Sequence, residues 1–433
     1  MTDIWLDITQ TSFIMKSFIH IIIGLMILMI SASNYAQDIE NQIVVEKRFN
    51  SKQQLNKPYV ILISADGFRY DYIEKYNAEF LKRISKKGVR SLALIPSFPS
   101  VTFPNHYSIV TGLYPSHHGL VGNNMIDVKS GERYSLRNKK AIVNPKWYGG
   151  TPIWVLAEQN NMLTACYYWP GSEAPIKGFL PTYFYKYSET TPIDDRINEV
   201  KEWLLLPEDR RPHLITFYMP EVDHAGHTYG PDSSETETAV RFVDESLKKL
   251  NEVVSKLDLP VYFVFVSDHG MNAVDQANPI IFPIKVDENK VDIVSNGTYI
   301  SVFVKDKKDV LSFYNLIKSG QNNQFEVYLK ENIPSHLHFD AKEDRYARIG
   351  DIVLLAKAPY LFSNGKPIPG AHGYDPYEVE NMNATFLVWG NSVKPKIIDK
   401  VENIHIYPLL AKMLGLEVNE QIDGDERLID LIL

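Results

Sequence analysis

At 433 residues, 45% of them hydrophobic and 12% aromatic, the chain carries enough apolar side chain for one large core or for two to three smaller ones. Its net charge of −8 and pI near 5.9 argue against the basic face of a nucleic-acid backbone binder, so no duplex binding is expected, while a metal or a helix terminus still leaves room for a small anionic substrate. A single cysteine, Cys166, excludes an intrachain disulfide framework and a thiolate metal cluster.

From Met15 the chain reads MKSFIHIIIGLMILMISASNYAQ, with Lys16 in a short leading region, an apolar run from Phe18 to Ile30, and then small and polar residues. That is the layout of a secretory signal peptide with cleavage after Ala36. The preceding MTDIWLDITQTSFI carries two acids and no base, which suits no signal peptide, so Met15 is the expected start. The apolar run is shorter than the ~20 residues a membrane span needs. No stable span is expected after cleavage, and without a nearby cysteine there is no lipoprotein. The expected location is exported, either periplasmic or secreted from a bacterial envelope. Residues 1–36 are then extension and signal, and 37–433 one catalytic α/β domain with inserted loops.

Beyond a polar leader over 37–57, YVILISADG ends in Asp66-Gly67, HLITFYMPEVD runs toward Asp223, and PVYFVFVSDHG ends in Asp268-His269-Gly270. Continuous apolar runs of this kind read as strands buried on both faces, the habit of parallel sheets. Between them AEFLKRISKKG, with Gly88 as its stop, and TETAVRFVDESLKKLNEVVSKL read as helices. TYISVFVKD, DIVLLAKAPYLF and ATFLVWG supply further strands. The alternation predicts an α/β fold, a mostly parallel central sheet with helices on both sides.

In such sheets ligands bind at the carboxyl ends of the strands, where this chain places acids and histidines. The candidates are Asp66, Asp223 with His227 in DHAGH, Asp268-His269 in SDHG, and His372 in GAHGYD. Asp223 and His227, four apart, share one face if their segment is helical. Carboxylates and imidazoles are what zinc accepts in the absence of cysteine, and there are enough here for two ions. Each piece alone has a plainer reading: Asp-Gly as a turn, His224 or His227 as a chance spacing, His372 as a loop residue, and Thr102 in SVTFPNHYSIV as an ordinary helix cap.

Taken together, ADGFRYD, PSFPSVTFPNHYSIVTGLYPSHHGLVGN, WPGSE, DHAGHTYGP, SDHGM and GAHGYDP…MNATFLVWG resemble the nucleotide pyrophosphatase/phosphodiesterase family of the alkaline phosphatase superfamily. The blocks run in the family's order from about residue 59 to 415. The resemblance implies an alkaline phosphatase-like three-layer α/β/α sandwich. It also implies two zinc ions, one held by Asp66, Thr102, Asp268 and His269, the other by Asp223, His227 and His372. Thr102 would be the nucleophile, its alkoxide favoured by zinc and its helix N-terminus favouring phosphate. Asn123 would donate to a phosphate oxygen in the transition state, with Asn124 as its rival on residue type alone. Phe103, Tyr187 and Tyr218 would line the substrate groove. His106, His117, His118, His213, His224, His336, His338 and His405 are read as structural or solvent-facing.

The expected activity is hydrolysis of phosphodiester and pyrophosphate bonds through a phosphothreonine, releasing a nucleoside monophosphate from a small-molecule diester or nucleotide. A sulfatase would need Cys-x-Pro-x-Arg or its serine equivalent where this chain has TFPNH, and an alkaline phosphatase would use serine. A phosphocholine- or phosphonate-ester hydrolase of the same superfamily shares the metal ligands. A non-catalytic secreted binding protein on this scaffold would have lost a ligand, and none is missing.

Overall fold

The computed structural model describes residues 41–285 and 287–433, so the expected signal peptide and the start at Met15 lie outside the described residues. The central sheet has nine strands in the order Ile43–Val44, Tyr183–Tyr185, Thr164–Tyr167, Leu214–Met219, Tyr59–Ala65, Val261–Val266, Phe386–Gly390, Val89–Ser91, Lys396–Ile398. The five from Tyr183–Tyr185 to Val261–Val266 run parallel, as their apolar runs predict. Phe386–Gly390 joins antiparallel to Val261–Val266.

Strand alternation sends side chains into two separate cores. Val60, Leu62, Val264 and Val266 face the helices Thr102–Thr111, Ile153–Gln159 and Ile406–Leu414. Ile61, Ile63, Phe263 and Phe265 face Glu79–Ser85, Ile193–Leu205 and Ser234–Val254. This is the three-layer α/β/α arrangement. Each such side chain taken fully out of water contributes ~1.5–3 kcal/mol, so the central strands are its most strongly held part.

Two expectations change. Tyr299–Val304 and Ile352–Ala356 do not extend the main sheet. With Val291–Ser295 and Phe325–Leu329 they form a separate antiparallel sheet over its own core. The three-residue link between Ser295 and Tyr299 is far too short for the crossover that parallel pairing requires. Gly88 is not the helix stop either: that helix ends at Ser85. A Cβ at Gly88 would lie 2.1 Å from the Val388 carbonyl oxygen, so glycine is there for close strand approach.

Gly67 matters more. It follows the central strand with φ +69°, and a Cβ there would meet the Asp223 Cα at 3.0 Å. Only glycine lets the Asp66 strand end and the Asp223 helix come this close. Gly131 shares the left-handed conformation, at φ +71°, but has open space around it. Gly131→Ala is therefore expected to cost only conformational strain, ~1 kcal/mol, and Gly67→Ala at least ~1 kcal/mol more. Paired denaturant titrations check this; equal losses would contradict the close-approach account.

Candidate active site

The carboxyl ends of three adjacent parallel strands deliver the expected residues to one place. Asp66 follows Tyr59–Ala65, and Asp268-His269 follow Val261–Val266. After Leu214–Met219 the chain enters the helix Glu221–Tyr229, where Asp223 and His227 stand one turn apart with Oδ1 and Nε2 at 3.4 Å. His372 follows the short strand Gly370–Ala371. Ligand atoms of Asp66, Asp268 and His269 lie within 4.8 Å of one another, as do those of Asp223, His269 and His372. His227 adjoins the second set, its Nε2 3.1 Å from that of His372.

The hydrogen bonds around this cluster leave it deficient in positive charge. Three Nδ1 atoms sit on backbone carbonyls: His227 on Gly370 at 2.8 Å, His372 on Ser100 at 2.9 Å, His269 on Gly270 at 2.9 Å. A carbonyl only accepts, so each ring donates from Nδ1 and turns a lone pair inward at Nε2. Those lone pairs face carboxylates. His269 Nε2 is 2.9 Å from Asp268 Oδ2 and 3.5 Å from Asp66 Oδ1, and His372 Nε2 is 3.5 Å from Asp223 Oδ1. All three of these carboxylate oxygens are buried without a hydrogen-bond donor. Their partner oxygens are engaged where the bonds are defined, Asp66 Oδ2 by the Tyr218 hydroxyl at 2.7 Å and Asp268 Oδ1 by the Gly67 N–H at 3.2 Å. Apart from His106 Nδ1, 3.3 Å from Asp268 Oδ2, and the Thr102 hydroxyl at His269 Nε2, these buried acceptors face one another, which is costly unless cations lie between them. The residues fit two divalent ions.

The titration behaviour shows how strongly these groups are coupled: burial lowers the His269 imidazole, but the neighbouring Asp268 outweighs it and raises His269 above its ordinary value. Burial, then the neighbouring Asp268 and Asp223, pushes the Asp66 carboxyl well above the usual carboxylate range. Burial acts the same way on Asp268, but His269 and His106 outweigh it and hold Asp268 well below that range. Burial together with the facing His269 and His227 keeps His372 well below the ordinary imidazole value.

Thr102 is the first residue of the helix Thr102–Thr111, and its N-cap is Val101, with no side-chain cap. The plain cap reading therefore fails. The Thr102 hydroxyl instead points at His269 Nε2, 3.3 Å away. The helix terminus is a poorer anion cradle than expected. The Phe103 N–H is engaged by Asn123 Oδ1 at 3.1 Å, Pro104 has no N–H, and the Asn105 N–H bonds to the Val101 carbonyl. The Asn123 contact has a use, because it fixes the amide and leaves its Nδ2 free of hydrogen bonds among the described residues. Asn124, by contrast, is tied to the 295–296 turn through its N–H on Asn296 Oδ1 at 2.9 Å.

A cavity of about 220 Å³ adjoins Thr102, with Phe103, Tyr187 and Tyr218 in its wall together with Tyr168, Trp169 and Leu136. Tyr187 is 43% exposed with its hydroxyl on Glu189 Oε1 at 3.1 Å, whereas Tyr218 is buried and commits its hydroxyl to Asp66. Glu173 and Glu189 also line this cavity, and among the described residues no lysine or arginine does.

Two of the histidines read as structural or solvent-facing lie close to the site. His224 is solvent-facing as expected, yet it lines this cavity, 3.8 Å from Glu189. His106 is fully buried, with Nδ1 2.9 Å from the Thr102 carbonyl oxygen and 3.3 Å from Asp268 Oδ2, and Nε2 2.8 Å from Ser64 Oγ. Its position one helical turn after Thr102 was the available signal.

Residues 60–375 match the family model of type I phosphodiesterase/nucleotide pyrophosphatase. The chain is 35% identical to human ectonucleotide pyrophosphatase/phosphodiesterase family member 1 over 373 residues, which cover 83% of this chain but only 40% of that protein. It is 34% identical to an uncharacterised pyrophosphatase/phosphodiesterase of Schizosaccharomyces pombe, covering 86% of this chain and 80% of the relative. Among solved structures, an inactive variant of murine ectonucleotide pyrophosphatase/phosphodiesterase 5 in complex with AMP superposes with a TM-score of 0.79 at 27% identity, covering 87% of this chain and 100% of the other. On sequence match and on fold alike, the chain belongs to the type I phosphodiesterase/nucleotide pyrophosphatase family.

Proposed function

We propose that the protein is an exported two-zinc hydrolase of phosphodiester and pyrophosphate bonds that works through a phosphothreonine at Thr102 and releases a nucleoside monophosphate. The observation that carries this reading is the convergence of three inward Nε2 lone pairs and three donorless carboxylate oxygens beside the Thr102 hydroxyl. Asp66, Asp268, His269 and Thr102 would hold one ion, and Asp223, His227 and His372 the other. Zinc suits this oxygen and nitrogen set. When bound, the pair would supply Lewis acidity that favours an ionised threonine oxygen and offsets the charge of the phosphate.

The chain's own groups do the rest. Thr102 is held by the first helical turn and backed by His106, so its oxygen is placed for attack. Its bond to phosphorus forms as the leaving oxygen departs with the electron pair of the broken P–O bond. Water then hydrolyses the phosphothreonine ester and restores the hydroxyl. Asn123, oriented by the Phe103 N–H, offers its amide to a non-bridging oxygen as charge builds there. A neutral donor, with no cation lining the aromatic cavity, suits a diester better than a dianionic monoester. Phe103 and Tyr187 would hold the flat group of the retained half. The AMP bound by the murine relative, and the loss of activity in its threonine-to-alanine variant, support both assignments.

Thr102→Ala is expected to abolish turnover with the fold and metal content retained, and Thr102→Ser to keep part of it. Acid quenching of the wild type during turnover, followed by peptide mass spectrometry, should place the covalent phosphate on Thr102; turnover at wild-type rate in Thr102→Ala would refute the assignment. Tyr187→Ala should weaken nucleotide substrates more than base-free aryl phosphonate esters, by ~1–3 kcal/mol if the ring stacks on a base. Equal effects on both classes in steady-state kinetics would remove the nucleotide from the reading.

A further inference from the structure

A second cavity, of about 450 Å³, opens on the other side of the ligand cluster. Asn123, His227 and His372 stand in its wall, as do Ser135, Arg137 and Asn296. Leu136 borders both cavities, so the two flank a common partition beside Thr102.

Their chemistry is opposite. The first is aromatic and carries Glu173 and Glu189 in addition to Asp66 and Asp223. Among the described residues no carboxylate lines the second, whose polar groups are amides, hydroxyls, imidazoles and one guanidinium. The Arg137 side chain makes no ion pair or hydrogen bond among the described residues, whereas the nearby Arg133 is paired with Asp292 at 2.6 Å. The wall behind it is fixed. Asn296 clamps Asn124 from both sides, accepting from its N–H at 2.9 Å and donating to its carbonyl at 3.1 Å, and the Arg137 N–H rests on Ser135 Oγ at 3.4 Å. The Ser135 hydroxyl hydrogen, the Asn123 amide and the five guanidinium N–H donors are what this cavity offers a ligand.

We infer that this second cavity is the subsite for the leaving half of the substrate, that it is built for a leaving group carrying its own phosphate, and that Arg137 is its specificity-determining residue. The inference rests on the hydrolase reading above and extends it. Displacement at phosphorus needs two separate places, one for the retained substituent and one for the group that departs opposite the attacking oxygen. Acids and exposed rings repel a phosphate and suit a neutral base, which assigns the retained nucleoside to the first cavity. A guanidinium without a competing carboxylate forks onto phosphate oxygens, which assigns the anionic leaving group to the second. On this account the chain favours phosphoanhydrides over diesters whose leaving group lacks a phosphate.

The test uses two substrates with the same retained half, thymidine 5′-triphosphate, which loses pyrophosphate, and the p-nitrophenyl ester of thymidine 5′-monophosphate, which loses p-nitrophenolate. Arg137→Ala should lower kcat/KM for the triphosphate at least tenfold more than for the ester. Arg137→Glu should widen that ratio, and Arg137→Lys should recover part of it. Arg137 is exposed, so the variants should fold, and thermal melts of all three establish that. A ratio within twofold of wild type in Arg137→Ala and Arg137→Glu would overturn the subsite while leaving the hydrolase reading intact. A metal-loaded wild type inert toward both substrates would overturn the hydrolase reading and this inference with it.

Discussion

Three imidazole lone pairs and three bare carboxylate oxygens, buried and aimed at one another, are the constraint on which the rest of this structure depends. The chain's own protons relieve it only in part, through the Thr102 hydroxyl at His269 Nε2 and the His106 Nδ1–H that lies 3.3 Å from Asp268 Oδ2. Each Nδ1 proton is already committed to a backbone carbonyl, and His372 resists a second proton because burial and two neighbouring imidazoles oppose it. Acceptor against acceptor at 2.9 to 3.5 Å is tolerable only where positive charge lies between. The cluster forms two candidate sets of metal ligands that share His269.

The fold supplies what such a shell needs, which is rigidity at the carboxyl edge of a sheet buried on both faces. Asp66, Asp268 and His269 extend from two paired central strands, so their separation is set by a ladder of backbone hydrogen bonds. Gly67 brings the third element to within contact of the first. The small antiparallel sheet braces the far side. Its Thr298 hydroxyl donates to the His372 carbonyl at 3.1 Å, its Asn296 clamps Asn124 beside Asn123, and the Tyr299 hydroxyl donates to the Val121 carbonyl. The loop around Asn124 and the His372 backbone are thus fixed by the same hairpin.

The parts legible in the sequence are those where one residue type carries one message. Apolar runs ending in Asp-Gly or Asp-His mark two of the central strands and the acids and histidine at their carboxyl ends. Residue spacing put Asp223 and His227 on one helical face, as found. The parts that were not legible depend on backbone or on partners far away in the chain. Strands Tyr299–Val304 and Ile352–Ala356 have the same apolar character as the central ones; the short link after Ser295 sets the antiparallel pairing of Tyr299–Val304 with Val291–Ser295, and Ile352–Ala356 pairs antiparallel to Tyr299–Val304 across an intervening 47 residues. Gly88 looks like a helix stop, yet the steric demand comes from Val388, 300 residues on in the chain. The carbonyls of Ser100, Gly270 and Gly370 that fix the histidine tautomers carry no signature, since every residue has one. His106 is structural, as expected, but its contacts with Thr102, Ser64 and Asp268 are likewise not legible from its residue type.

The most direct measurement of the central claim is anomalous scattering at the zinc edge from crystals of the dialysed protein. The account predicts two peaks at full occupancy, one among Asp66, Thr102, Asp268 and His269 and one among Asp223, His227 and His372. Crystals of active protein with no peak, or with all three Nε2 atoms hydrogen-bonded to solvent, would contradict it.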